Sequence, residues 1–129
     1  DIYAPTNAVD VMPTIAQLTG NPIPAWAEGA LLPGLGGVED YERSTFVVEA
    51  KKDSAFAPLN KATVALRKGA HKLVYYTGYE AEDTFELYDL EADIEELDDL
   101  YPAQPAILKK LKEELLDTFL DANKPYMKK

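Results

Sequence analysis

The chain has 129 residues, 47% of them apolar and 28% charged, and its formal net charge at pH 7 is −10. This apolar content excludes an intrinsically disordered protein, and the length fits a single domain. The negative charge argues against nucleic acid as a partner, because phosphates demand surfaces rich in Lys and Arg. No apolar run approaches the ~20 residues that a membrane-spanning helix needs. The sequence therefore predicts a folded domain without nucleic-acid or membrane partners.

Cysteine is absent from the sequence, which excludes disulfides, thiolate metal sites and thiol nucleophiles. The chain begins at Asp1 rather than at a methionine. We therefore expect it to be a fragment or a processed product of a longer protein.

The first predicted element is a helix over residues 10–19. Asp10 is of a type that caps helix N-termini, and Gly20 suits the position after the last turn. One face of this helix carries aliphatic side chains at helical spacing. They are Val11, Ile15 and Leu18. Residues 21–40 are rich in proline and glycine and predict an irregular connection.

Strands are predicted in the middle of the chain. The first covers residues 44–50, where β-branched side chains are frequent, and a loop follows over residues 51–59. The next two, residues 62–67 and 71–76, flank Gly69, which can adopt the positive φ of a tight hairpin. A further strand covers residues 85–88. Alternation along these strands predicts one inward face. Its members are Val64, Leu66, Leu73, Tyr75, Phe85 and Leu87.

The last predicted element is a helix over residues 103–121, with Pro105 in its first turn. Its apolar stripe consists of Leu108, Leu111, Leu115 and Phe119. Strands in sequence, joined by short loops and flanked by helices, predict an α+β fold. We expect a four-stranded antiparallel sheet with the C-terminal helix packed across one face.

The acidic stretch around residues 89–95 places carboxylates at alternate positions, as a calcium-binding EF-hand loop does. The pattern then fails, because Ile94 stands where the turn needs glycine and Leu100 where a bidentate Glu is needed. We interpret residues 89–93 as a turn whose carboxylates accept backbone N–H groups, and residues 95–100 as a short helical turn.

Catalytic patterns are missing from the sequence itself. His71 is the only histidine, and a lone histidine does not make a conventional metal site. Ser44 and Ser54 lie outside any G-x-S-x-G context. The glycines of residues 34–37 follow no strand and lack the P-loop lysine, so they indicate a loop. We predict no catalytic and no metal-binding residue in this chain.

Three stretches, in this order, resemble sulfatases of the alkaline-phosphatase-like superfamily, of the arylsulfatase type. Residues 9–20 (VDVMPTIAQLTG) resemble a helix near the end of the sulfatase catalytic domain. Residues 65–76 (ALRKGAHKLVYY) resemble a hairpin of the C-terminal region, and residues 86–97 (ELYDLEADIEEL) resemble the segment that follows it. The chain departs from the family at Ile94, where proline is usual.

The resemblance implies that the whole chain, residues 1–129, is a C-terminal region of a sulfatase, which hydrolyses sulfuric esters. Residues 1–40 then come from the end of the catalytic domain, and residues 41–129 form the sheet and its helix. The family's nucleophile, a formylglycine made within a C/S-x-P-S-R motif, and its calcium ligands are expected in the missing N-terminal catalytic domain. No cofactor is expected in this fragment, which alone should be inactive.

A basic stretch suggests where the chain meets substrate. Residues 51–72 carry six Lys or Arg residues against Asp53 alone, whereas residues 80–101 carry eleven carboxylates and no Lys or Arg. The loop before the hairpin is long, and loops of this kind often carry function. We expect Lys51, Lys52 and Lys61 to orient a sulfated small molecule or glycan at the pocket rim. An ordinary basic loop, or a surface that faces the missing domain, remains the alternative.

Other interpretations stay open. The acidic segment of residues 80–101 is also compatible with a free-standing acidic protein-interaction module. The resemblance extends to related phosphonate or phosphate ester hydrolases. An apolar face around Val11, Ile15 and Trp26 predicts contact with the missing domain, or self-association of the fragment. The compartment is unknown, and a periplasmic, extracellular or lysosomal-type location suits the parent enzyme.

Overall fold

The computed structural model of the protein describes residues 1–50 and 57–127. The chain divides into two compact units, Asp1–Thr45 and Phe46–Lys129. The first unit contains one short helix and irregular segments among its described residues, and the second contains most of the sheet and the long helix. The described residues include no helix with the length and apolar character to cross a membrane.

In the first unit a 3₁₀ turn at Ala8–Asp10 leads directly into helix α1, Val11–Leu18. The helix ends where the sequence predicted. Gly20 adopts a φ of 71°, and the N–H of Asn21 donates to the carbonyl oxygen of Ala16 at 2.9 Å. This left-handed glycine satisfies carbonyl groups that the end of a helix would otherwise leave unpaired.

The strands of the described residues form a four-stranded antiparallel sheet, in which neighbours in space are neighbours in sequence. They are β1 (Thr45–Ala50), β2 (Ala62–Lys68), β3 (His71–Thr77) and β4 (Thr84–Asp89). Lys68 pairs with His71, so that Gly69 and Ala70 alone make the turn between β2 and β3. Gly69 has a φ of 54°, which confirms the predicted hairpin and the reason for its glycine.

Helix α2, Ala106–Asn123, packs on one face of the sheet and closes the core of the second unit. The core contains the predicted inward residues of the strands and of the helix. They are Val64, Leu66, Leu73, Tyr75, Leu87, Leu108, Leu111 and Leu115, with Phe85 and Phe119 packed against them. The core also contains Ala62, which was not among the predicted residues. The α+β prediction and its apolar stripes are therefore confirmed.

The start of α2 lies later than predicted. Tyr101–Ala103 forms a separate 3₁₀ turn, and Gln104 adopts a left-handed φ of 49°. Pro105 is then the N-cap, with extended backbone, rather than a residue of the first turn. Gln104 separates the 3₁₀ turn from α2 because a residue with left-handed backbone cannot lie within a right-handed helix.

The predicted helical turn over residues 95–100 is wrong. Glu96 has a φ of 58°, which is incompatible with a right-handed helix. The backbone instead makes successive turns, in which the carboxylate of Asp93 accepts the N–H of Asp98 at 2.9 Å. The Glu96 side chain forms an ion pair with Lys72 at 2.6 Å. The carboxylates of this segment direct the backbone more strongly than its helix propensity does.

Candidate functional site

Lys61 is the one predicted rim residue within the described part of the chain. Lys51 and Lys52 lie outside the described residues. Lys61 immediately precedes β2 and is partly buried. Its ammonium nitrogen lies 5.0 Å from the centre of the Tyr79 ring, which is within the range of a cation–π interaction. The cation therefore sits on an aromatic side chain from the β3–β4 loop.

The Tyr79 ring is held from two sides. Its hydroxyl group shares a hydrogen bond with Thr63 Oγ1 at 3.2 Å. The Tyr76 ring packs edge-on against it, with centroids 6.5 Å apart and an interplanar angle of 76°. Thr63 and Tyr76 are opposite each other on β2 and β3. The paired strands thus fix the ring on which Lys61 lies.

The backbone beneath this pair is closely packed. A Cβ atom added to Gly78 would lie 2.0 Å from the carbonyl oxygen of Asn60, and Gly78 has a φ of 72°. Both facts require glycine, because another side chain would collide with the neighbouring backbone. The residue before Lys61 and the residue before Tyr79 are therefore in direct contact.

Asp83 closes the β3–β4 loop. Its carboxylate accepts the Tyr75 hydroxyl at 2.5 Å and the Gly78 N–H at 3.2 Å. The hydrogen bond from Tyr75 lowers the pKa of Asp83, whereas burial and then the bond to Asp83 raise the pKa of Tyr75. The loop that carries Tyr79 is thus tied to the core through a charged acceptor.

The segment that leads into Lys61 is fixed by helix α2. Asn123, which is only 4% exposed, accepts the N–H of Leu59 at 2.9 Å and donates to its carbonyl oxygen at 3.2 Å. This pair of bonds connects residues 64 positions apart in sequence. The position of Lys61 therefore depends on the last turn of the C-terminal helix.

The first unit contains a buried ion pair that the sequence did not reveal. The Asp10 carboxylate is fully buried and contacts both terminal nitrogens of Arg43, at 2.6 and 2.7 Å. It also accepts the N–H groups of Asn7 at 2.8 Å and Ala30 at 2.9 Å. Arg43 and the backbone bonds lower the pKa of Asp10 despite its burial.

Asp10 was predicted to cap α1 with its side chain, and this prediction is wrong. Asp10 occupies the N-cap position of α1, but its side chain does not bond to that helix. The guanidinium of Arg43 and the N–H of Ala30 satisfy the carboxylate instead. A bidentate, charge-assisted pair is stronger than a capping bond between the same carboxylate and one N–H.

Thr14 continues the same arrangement one turn along α1. Its buried hydroxyl donates to the carbonyl oxygen of Asp10 at 2.7 Å and accepts the N–H of Leu32 at 2.8 Å. Asp10 and Thr14 thus hold the irregular segment at Ala30 and Leu32 against the helix. In the sequence, the one indication of this arrangement is that Asp10 and Thr14 are polar residues at i and i+4 within an otherwise apolar stretch.

The apolar stripe of α1 faces solvent in this chain. Val11 is 46%, Ile15 54% and Trp26 70% exposed. In the same unit Val9, Met12 and Trp26 line a groove of about 190 Å³. Apolar surface of this kind marks interaction sites.

The chain matches no family model and no curated protein, but several solved structures share its fold. BT4656, solved with its substrate D-glucosamine-2-N,6-O-disulfate, is 23% identical, with a TM-score of 0.59 over 92% of this chain and 24% of its own. The yidJ protein from Bacteroides fragilis, which is described as a sulfatase, is 18% identical, with a TM-score of 0.71 over 89% of this chain and 24% of its own. Ps i-CgsB, solved with k-i-k-neocarrahexaose, is 18% identical, with a TM-score of 0.68 over 96% of this chain and 26% of its own.

The chain has the fold of a sulfatase segment. It spans about a quarter of the length of the sulfatases that it matches. The resemblance read from the three sequence motifs is thereby confirmed at the level of fold. In this sulfatase fold the first motif supplies the Asp10–Thr14 pair, the second forms the β2–β3 hairpin, and the third begins within β4.

Several acidic residues between β4 and α2 accept hydrogen bonds within the fold. Asp99 accepts the N–H groups of Leu87 and Tyr101, each at 2.9 Å. Asp89 accepts the N–H of Glu91 at 3.0 Å. This bond agrees with the predicted turn over residues 89–93. These carboxylates shape the connection between β4 and α2. Because they already accept backbone hydrogen bonds, they are less available to bind a basic partner.

Proposed function

We propose that this chain is the C-terminal part of a sulfatase, where it completes the fold and forms the rim of the substrate pocket. The fold that it shares with segments of sulfatases carries this proposal. Three motifs in the order typical of the family support it independently. The missing catalytic domain of the same protein is then its partner.

The substrate that we propose is a sulfated sugar. BT4656 was solved with a disulfated glucosamine as its substrate, and the Lys61 ammonium of this chain suits an anionic group of that type. An ammonium on an aromatic ring keeps its charge and its N–H donors available for sulfate oxygens.

Calcium and formylglycine belong to the rest of the parent enzyme in this proposal. The described residues include no group of three or more His, Asp or Glu side chains that would hold a metal ion. The sequence contains neither cysteine nor a C/S-x-P-S-R motif. In this proposal the chain contributes binding and positioning, and the sulfur chemistry takes place in the rest of the parent enzyme.

The proposal is tested with the longest protein that contains this chain. The purified protein is incubated with D-glucosamine-2-N,6-O-disulfate and, in a parallel reaction, with a phosphorylated glucosamine. Ion chromatography measures the sulfate or phosphate that is released. We expect sulfate release from the longer protein and none from the 129-residue chain. Release of phosphate alone would assign the chain to a related phosphate ester hydrolase. Activity towards neither ester, together with capture of a basic protein, would favour an interaction module.

The predicted rim residues are tested in the same protein. We expect Lys51→Ala combined with Lys52→Ala, and separately Lys61→Ala, to lower kcat/KM for the disulfated sugar by about 10- to 150-fold, since a lost charge-assisted hydrogen bond costs roughly 1.5–3 kcal/mol. Lys109→Ala is the control, because Lys109 is 85% exposed on α2. An unchanged kcat/KM in the lysine variants would remove them from the pocket rim.

A further inference from the structure

We infer that Tyr79 is a positioning residue that holds the Lys61 ammonium as a subsite for one sulfate group of a sulfated sugar. The inference rests on the proposed function and deepens it, because it assigns a ligand group to a particular pair of side chains. Neither residue type is diagnostic alone. Their arrangement at one end of the paired inner strands β2 and β3 carries the inference.

The first observation is that Lys61 has an aromatic partner. Among the described residues, the ion pairs use other cations, namely Arg43, Lys68, Lys72, Lys109 and Lys124. Lys61 lies 5.0 Å from the Tyr79 ring centre instead. A quadrupolar ring attracts the ammonium without neutralising it. The charge remains available to an incoming anion, which a carboxylate partner would have compensated.

The second observation is that the support is rigid. Thr63 and Tyr76 fix the Tyr79 ring from paired strands. Gly78 contacts the Asn60 backbone so closely that a side chain would not fit between them. A lysine normally loses considerable side-chain entropy when it binds a ligand. Because Tyr79 restrains Lys61 beforehand, part of that loss has already occurred when sulfate arrives.

The third observation is the surface on which the pair lies. Tyr79 and Lys61 are both partly buried, while Glu80 and Glu82 beside them are exposed. The carboxylate of Asp83 is bonded to the Tyr75 hydroxyl and the Gly78 N–H. This carboxylate is therefore engaged within its own loop.

The test uses the 129-residue chain in solution, with NMR of ¹³C,¹⁵N-labelled protein. The side-chain Hε signals of Lys61 are expected upfield of those of exposed lysines because they lie above the Tyr79 ring. Titration with D-glucosamine-2-N,6-O-disulfate should shift the Lys61 and Tyr79 signals, and unsulfated glucosamine should not. Lys61 signals at the position of an exposed lysine, or equal shifts with both sugars, would overturn the inference.

Variants separate positioning from a merely structural role. Tyr79→Leu should weaken binding of the disulfated sugar about two- to five-fold, as expected for one exposed cation–π contact. Tyr79→Phe keeps the ring and should retain most of the affinity. Tyr41→Leu, which removes an exposed tyrosine of the first unit, is the matched control. An unchanged affinity in Tyr79→Leu would contradict the inference, and the ring-current shift of the unsubstituted chain decides the matter if that variant fails to fold.

The longer protein distinguishes this inference from the proposed function. If it hydrolyses sulfate esters, Tyr79→Leu should raise KM and leave kcat nearly unchanged, and an unaltered KM would overturn the inference while the proposed function stands. If it shows no sulfatase activity, the proposed function fails. The NMR titration of the 129-residue chain then still decides whether Lys61 and Tyr79 form an anion subsite.

Discussion

A carboxylate without contact with water is stable in a protein only when its charge and lone pairs are matched by the fold. Asp10 meets this condition through Arg43 and through the N–H groups of Asn7 and Ala30. Its partners come from before α1, from the irregular segment, and from the residues just before the sheet. One side chain therefore joins three stretches of the first unit.

Replacing Asp10 should destabilise the protein. We expect Asp10→Ala to lower the free energy of unfolding by about 3–5 kcal/mol, because it leaves the guanidinium of Arg43 and two N–H groups without their acceptor. Urea denaturation followed by circular dichroism measures this change. Glu42→Ala, at an exposed position of the same unit, should change stability by at most about 0.5 kcal/mol. Equal effects in the two variants would contradict the structural role of the pair.

The same pair predicts a pH dependence. The pKa of Asp10 is lowered in the folded chain, chiefly by Arg43, from an ordinary value of 3.8. The unfolded state therefore binds the proton more readily, so the contribution of Asp10 is complete above about pH 4–5 and is lost as pH falls through the folded pKa.

Amide hydrogen exchange at Ala30, whose N–H donates to Asp10, reports this loss locally. Protection of that amide should fall as pH decreases below about 4, relative to amides of the β2–β3 hairpin. The Asp10→Asn variant should show weaker protection at neutral pH and no further change over this range. A constant protection ratio in the unsubstituted chain would refute the prediction.

The role of Asp10 shows which part of the site was readable from sequence. The residue stands in a motif that was recognised, yet its partner Arg43 lies 33 positions away. Local spacing predicts a helix cap because capping uses neighbours in sequence. A buried ion pair depends on how an irregular segment folds back, and such segments have no periodicity to indicate their path.

At the scale of elements, periodic segments were predicted well and junctions were not. Leucines repeat at helical spacing along α2, and β2 and β3 alternate across a two-residue turn, so burial determines their structure. Glu96 and Gln104 both adopt left-handed backbone between β4 and α2. Glutamate and glutamine, unlike glycine, do not indicate a left-handed backbone in a sequence. The wrong prediction of a helical turn over residues 95–100 followed from this.

Asn123, at the end of α2, binds the segment that leads into β2, and this contact gives a further prediction. Asn123→Ala should cost about 1–3 kcal/mol of stability, because it leaves the N–H and the carbonyl oxygen of Leu59 without their partners. The amide of Leu59 should also exchange faster. Asp121→Ala, which removes an exposed ion pair with Lys124, should change stability by less than about 1 kcal/mol. If Leu59 exchange is the same in both variants, Asn123 does not fix this segment.

At the scale of the whole molecule, the first unit exposes apolar side chains that a monomer of this size would usually bury. Ile15 is 54%, Leu18 60% and Trp26 70% exposed. The sulfatases of the same fold are about four times longer than the part that matches this chain. We expect additional protein to cover this surface in the proposed parent.

Without that cover, the 129-residue chain should self-associate. Sedimentation velocity should show concentration-dependent oligomers, and the dye ANS should bind to the chain at neutral pH. Ile15→Glu combined with Leu18→Lys should reduce both signals several-fold. Leu97→Lys, at a position 75% exposed in the second unit, should leave them nearly unchanged. A strict monomer that binds no dye would count against the apolar face.

The order of strands has a consequence for the protein during its synthesis. Each strand of the sheet pairs with its neighbour along the chain, and such local pairing favours rapid folding. The β2–β3 hairpin can form once residue 77 has left the ribosome, whereas α2, which covers Leu66, Leu73 and Leu87, is made after the sheet. A nascent chain that has emerged from the ribosome only as far as residues 90–106 therefore presents an uncovered apolar sheet. The time until α2 emerges, and chaperone binding during that time, should decide how much of the protein escapes aggregation.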